Sequence, residues 1–508
     1  MKTPLRTIAL AALLTIGSTA SAQMKIGLNL GGGVSYFEPQ AFSDLLRQGN
    51  APTGKVTPRP DGWPEFVDDS VGQVQAISAT TSPMAAGEYI LSAEGKGEIR
   101  VSFGGGVWHK GVFDGPRKDV KFTLVTPKPV VANVNTVFWR SEKSDPLRNI
   151  HLMAPDAVYR HPFRKDYLDD LRGVSIVRTM DWQLTNTKLN EVVTWADYQA
   201  LWARFTHQGV GVPLADCAAL ANEVGADLWV CLPLNADDDC LKQMALLLDA
   251  KLKPGLKLYV EYSNEVWNQS FKQGAQLAKD ATAAKKNFWR YGGEVSARRM
   301  VVFRDALVKA KSKRTVVRVL AGQALYFDGG RSAVEAGAEA GGFDAIACAP
   351  YFGIPKADES VTDVAARFNA ATDPKVKADC IAETFDRLHQ DITKIGPFLR
   401  QWRDLAAAHG VPLLAYEGGQ HLIAFPKGAS DNPASRTPLF DAVNRSPRMA
   451  TAYARYLEEL EAAGFAACVL FNSHSLFSQY GEWGLREYPG QPLSDAPKAR
   501  AVLDFIAR

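Results

Sequence analysis

Lys257-Leu258-Tyr259-Val260-Glu261-Tyr262-Ser263-Asn264-Glu265-Val266-Trp267-Asn268 reads as a buried strand that stops at a polar, carboxylate-bearing loop. A short apolar and aromatic run closed by Ser, Asn and Glu suits a parallel strand whose C-terminal end meets a binding surface. Seven further runs of this kind lie at residues 149–153, 174–180, 228–232, 315–320, 345–349, 413–416 and 467–471. Helix-patterned stretches separate most of them, including 241–250, 288–310, 381–409 and 449–463. Eight strands with crossover helices predict an α/β fold, a closed (β/α)8 TIM barrel over residues 148–508. A doubly wound open sheet shares the alternation, but no dinucleotide fingerprint opens any unit.

Residues 23–147 have a different texture, rich in Gly, Pro, Thr and Val. Runs at 86–93, 97–103, 120–125 and 132–138 read as short strands between turn signals. They predict a β-sandwich-like N-terminal domain. Gly104-Gly105-Gly106 is a turn, because the strand-to-helix context of a phosphate loop is missing. Residues 1–22 read as an export signal: Lys2 and Arg6, an apolar run over 8–16, then Ala20-Ser21-Ala22 as a small-residue cleavage site. The expectation is a protein exported to a bacterial periplasm or beyond, with no membrane association after cleavage.

Composition narrows the function classes. The 508 residues are 46% apolar and 22% charged, with a formal charge of +3. So small a charge on so long a chain gives no reason to expect a nucleic-acid partner. Six cysteines are sparse; Cys231 with Cys240 and Cys348 with Cys380 are possible bridges, and buried free thiols are the other reading. No zinc-binding spacing occurs, and neither a metal nor a cofactor is expected. Asp237-Asp238-Asp239 reads as a solvated acidic loop, with calcium as the alternative.

Barrels place reactive groups at the C-terminal ends of their strands. Polar residues gather there: Arg178, Asp181 and Trp182 after the second strand, Asn264 and Glu265 after the fourth, and Tyr351 after the sixth. Glu417 and His421 follow the seventh, and His474 and Trp483 the eighth. A lone glutamate at a strand end is ordinarily solvated or salt-bridged. Glutamates on both the fourth and the seventh strand ends are harder to attribute to structure alone.

The run from Tyr259 to Asn268 resembles the fourth-strand signature of the clan A superfamily of retaining glycoside hydrolases. Leu413-Leu414-Ala415-Tyr416-Glu417-Gly418-Gly419 matches its seventh-strand pattern. The resemblance covers roughly residues 148–508. It implies a carbohydrate substrate, Glu265 as acid/base and Glu417 as nucleophile. It also implies Asn264 at the sugar 2-hydroxyl, Tyr351 and Arg178 beside the nucleophile, and Trp483 as a sugar-stacking ring. Trp182 and Trp267 are further stacking candidates, and His421 and His474 candidate sugar contacts. The N-terminal region is similar to segments of secreted bacterial proteins with such a barrel, which implies no activity. A non-catalytic carbohydrate-binding protein on the same barrel is the competing expectation, and a purely structural domain the third.

Overall fold

Lys25–Asn29 (β1) is a short strand buried along nearly its whole length, and both its edges are paired. In the computed structural model, which describes residues 23–35, 37–80, 83–127, 132–155, 161–354, 360–424 and 435–508, β1 is the first stave of the barrel. The next five strands are Val74–Thr80 (β2), Gly87–Phe103 (β3), Trp108–Leu124 (β4), Ala132–Ser141 (β5) and Arg148–Met153 (β6). They form one antiparallel sheet, in the order β2-β5-β3-β4 with β6 on β3. Then come Ile176–Arg178 (β7), Asp227–Leu232 (β8), Leu258–Tyr262 (β9), Val316–Gly322 (β10), Ala345–Cys348 (β11), Leu413–Ala415 (β12) and Phe465–Leu470 (β13). With β1 they close an eight-stranded parallel barrel.

The barrel therefore begins earlier than the sequence suggests. Residues 149–153 form β6 in the antiparallel sheet, and β1 inside the 23–147 stretch is the true first stave. The sheet is an insertion between the first and second barrel strands. The alternation in Arg148–Met153 is equally good for either sheet, because a strand's pattern reports its buried face and not its partner. The other seven barrel strands lie where the sequence places them.

Inside the barrel, Ile176, Trp229, Tyr259, Val319, Leu414, Tyr416 and Val469 pack together into one buried cluster. Trp229 stacks on Tyr259 at 5.6 Å between ring centres. The helices cover the outer face, as parallel strands buried on both sides require. In the antiparallel sheet, the runs 86–93 and 97–103 are one long strand, β3, with a register shift between Ala93 and Gly95. Gly95 has φ +91°, and a Cβ there would lie 2.2 Å from the Pro146 carbonyl oxygen. The bend lets one half of β3 pair with β6 and the other with β5. Asp44, between β1 and β2, fastens its own turn to β6: it accepts the backbone N–H groups of Leu46 and Leu152 and bonds His151 at 2.8 Å.

All six cysteines are buried free thiols, so neither candidate bridge forms. The aspartate run begins a helix: Asp237 accepts the Cys240 N–H at 2.7 Å, and Asp238 pairs with Arg299. Among the described residues no helix is long and apolar enough to cross a membrane. Residues 1–22, which carry the export reading, lie outside the described residues.

Candidate active site

The end of β9 is built by a strained turn. Ser263 and Glu265 both have positive φ, 54° and 43°, a region costly for any residue with a Cβ. Neighbours hold the turn in place. Ser263 donates its hydroxyl to Asn190 at 3.0 Å, and Gln273 donates to the Asn264 carbonyl at 2.8 Å. The result points the Asn264 and Glu265 side chains to the same mouth of the barrel.

Arg178, wholly buried at the end of β7, organises that mouth. Its Nη1 donates to Glu417 Oε1 and Asn29 Oδ1, both at 2.9 Å. Nη2 donates to Asn264 Oδ1 at 2.8 Å and to Glu261 Oε2 at 2.9 Å, and Nε donates to the same Glu261 oxygen. Trp229 adds a third donor to that oxygen at 3.0 Å. Burial pushes the Glu261 carboxyl up, against the pull of Arg178. Asn29, at the end of β1, donates in turn to the Tyr416 and Val469 carbonyls, fastening the first stave to the seventh and eighth.

The two glutamates have unlike surroundings. Glu417 accepts from Arg178 on one oxygen and from the Tyr351 hydroxyl, at 3.0 Å, on the other. Glu265 accepts from neutral groups only: the Tyr416 hydroxyl at 2.8 Å and Asn268 at 3.0 Å. Burial and then the charge of Glu417 raise its pKa to about 7, against those two donors and Arg178. Asp181 also rises to about 7, through burial and the charges of Glu417 and Glu38. Glu38, on the loop after β1, reaches about 7 through burial, although Val34 and Ser35 donate to it. Burial thus raises Glu265, Asp181 and Glu38 together, each to about 7.

The sequence-derived candidates divide cleanly. Glu417, Asn264, Arg178 and Tyr351 form one hydrogen-bonded network, and Glu265 joins it through Tyr416, whose carbonyl accepts from Asn29. His421 and Trp483 join it as an aromatic wall, with Tyr351 5.1 Å from His421 and 5.8 Å from Trp483, and those two 5.1 Å apart. Trp267 borders the cleft beside Glu265. Two candidates are corrected. Trp182 is fully buried among Phe42, Phe163 and Tyr167 and has no face for a ligand. His474 is buried and bonds Asp170 at 3.1 Å, beside the Asp170–Arg486 pair, so it serves packing.

Asn29, Glu38, Glu261 and Tyr416 were not legible as site residues. Glu261 did carry a signal, a charge inside a buried strand run. Tyr416 looked like one more apolar stave residue. An open cleft of about 440 Å³ starts at Glu265, Tyr351 and Tyr416 and runs outward over β10 and β11. Among the described residues no cluster of His, Cys, Asp and Glu is arranged to hold a metal ion.

Fold and site together define a closed parallel (β/α)8 barrel with buried, hydrogen-bonded carboxyls at the C-terminal mouth. No protein-family model matches the chain, and no curated protein is significantly similar to it. Among solved structures it is similar to the Podospora anserina GH26-CBM35 β-(1,4)-mannanase, at 11% identity and a TM-score of 0.28, over 92% of this chain and 95% of that one. It is also similar to a 4-O-α-L-rhamnosyl-β-D-glucuronidase from Fusarium oxysporum, at 11% identity and a TM-score of 0.36, over 67% and 63%. A Cellulomonas fimi endo-β-1,4-mannanase gives 11% and 0.34, over 66% and 63%. Likenesses this loose carry nothing about the reaction.

Proposed function

We propose that this protein is an exported glycoside hydrolase that cleaves β-glycosidic bonds with retention, with Glu265 as acid/base and Glu417 as nucleophile. The observation that carries the reading is the asymmetry of the pair. Glu265 is held near pKa 7 by burial and by Glu417, while Glu417 receives a guanidinium and a phenol. A retaining cleavage needs that division of one proton between two carboxyls.

In the first step a Glu417 oxygen bonds to the anomeric carbon as the bond to the leaving oxygen breaks. Glu265 gives its proton to that oxygen. In the second, Glu265 takes a proton from water, and the water oxygen displaces Glu417 from the anomeric carbon. Asn264 Nδ2 donates one N–H to Asn186, and its second N–H suits a sugar hydroxyl in the transition state. Burial raises the carboxyls of Asp181 and Glu38 to about 7, so both exchange protons near neutral pH.

A hydrolysis screen over β-linked glycans, with NMR of the first-formed anomer, tests the proposal. Release of the β-anomer first supports it, and first release of the α-anomer identifies inversion instead. Tight glycan binding with no reducing ends released over the whole panel would establish a non-catalytic carbohydrate-binding protein.

A further inference from the structure

We infer that the cleft beside Glu265 receives an apolar, uncharged aglycone, an aromatic alcohol in particular, in preference to a second sugar. This rests on Glu265 being the proton donor. A donor must reach the leaving oxygen, so whatever that oxygen carries lies on the donor's side of the bond. The cleft that Glu265 borders extends over the ends of β10 and β11, and neither Asp181 nor Glu38 lines it.

Its walls are Trp267, Leu325, Ile354, Ile395 and Phe398. Ile395 and Phe398 are supplied by the long helix Pro374–Ala408. Leu325 is 69% exposed and Phe398 43%, which leaves large apolar side chains in water unless a ligand covers them. Gln323 and the Trp267 ring N–H add polar groups to the lining, but the Trp267 N–H is buried, and four of the others are engaged already. Asp391 accepts the Gly353 N–H at 2.8 Å, Asn268 and Tyr416 donate to Glu265, and Tyr351 donates to Glu417. A sugar's hydroxyls would lose water here for few partners, whereas an aromatic ring loses nothing by leaving water.

The test uses the intact parent protein and sulfur-linked probes that resist cleavage: phenyl and methyl 1-thio-β-glycosides of glucose, mannose, galactose, xylose and glucuronic acid, with thio-linked β-disaccharides. Calorimetric titration should show the phenyl member binding at least about tenfold tighter than the methyl member of the same sugar, on the order expected for burying one ring. Phe398→Asp or Leu325→Asp should each shrink that ratio to about threefold or less without moving methyl affinity. Equal phenyl and methyl affinities, a disaccharide tighter than the phenyl probe, or no binding of any probe would overturn the inference. Hydrolysis of the matching O-glycosides is run in parallel. Turnover without a phenyl preference sinks this inference alone, and a phenyl preference without turnover sinks the hydrolase reading alone.

Discussion

Tyr416 donates its hydroxyl to Glu265 Oε1 at 2.8 Å from the position directly before Glu417. The seventh stave thus supplies one carboxylate of the pair and restrains the other. That hydrogen bond favours the ionised form of Glu265 and works against burial. Tyr416→Phe should therefore raise the Glu265 pKa above about 7. An acid must be protonated to act, so activity declines as pH climbs through its pKa, and the alkaline limb of kcat/KM should move upward. A limb that stays in place, or moves downward, in the variant's pH–rate profile contradicts the assignment.

Replacing either glutamate by glutamine keeps its size and one of its two acceptors while removing the proposed acid or nucleophile. Glu417→Gln should lower kcat by at least about a thousandfold on every substrate. For Glu265→Gln the loss in kcat/KM, which reports the step that expels the leaving group, should be about 10²–10⁴-fold on alkyl glycosides, the usual worth of a general acid, and much smaller on glycosides of acidic phenols. Steady-state kinetics on a graded series of leaving groups checks both. Equal losses across the series for Glu265→Gln would remove it from the acid role.

Arg178 satisfies Asn29, Glu261, Asn264 and Glu417 at once from a position with no exposed surface. Arg178→Met strands two buried carboxyls without a cation and should cost about 3–5 kcal/mol. Arg178→Lys keeps the charge but not the fork, and should fall between the two. Denaturant unfolding measures all three proteins. A Met variant within about 1 kcal/mol of the parent would show that the network is not cation-dependent.

Glu482, next to the aromatic wall at Trp483, is buried, and burial and the Asp441 charge push it from 4.5 up to about 9. Burial pushes the adjacent Lys498 down to about 7. A carboxyl raised on folding favours the folded state most fully below its ordinary pKa, and that contribution is lost as pH rises toward the folded value. Glutamine does not titrate, so Glu482→Gln should gain stability over the parent between pH 5 and pH 8. Melting curves at the two pH values decide it, and a Tm difference that does not change with pH refutes it.

Much of the barrel was legible because parallel staves announce themselves one by one. The runs ending at Arg178, Tyr262 and Ala415 are short, apolar and followed by polar residues. The first stave was not, because Lys25–Asn29 is five residues long and sits next to an all-antiparallel stretch. Position relative to a strand end located Glu265, Glu417, Arg178, Asn264 and Tyr351. It misled for Trp182 and His474, since adjacency in sequence does not say which way a ring turns after the strand ends. Glu38 was hidden by the same misplaced stave that hid Asn29. Tyr416 shows a different limit: whether a buried phenol is packing or donor depends on the neighbour it meets across the barrel.

The pairing of Ile26 with Cys468 has a consequence for how the chain reaches its native state. During synthesis the first stave leaves the ribosome long before its partner exists, while the hairpin of β3 and β4 closes over a handful of residues. Contacts near in sequence form early and distant ones late. The antiparallel insertion can thus mature while β1 waits, and ring closure is postponed until the last stave emerges. A chaperone that shields the edge of Lys25–Asn29 left open for the last stave, the other edge being met by Ile176–Arg178, would act in that interval.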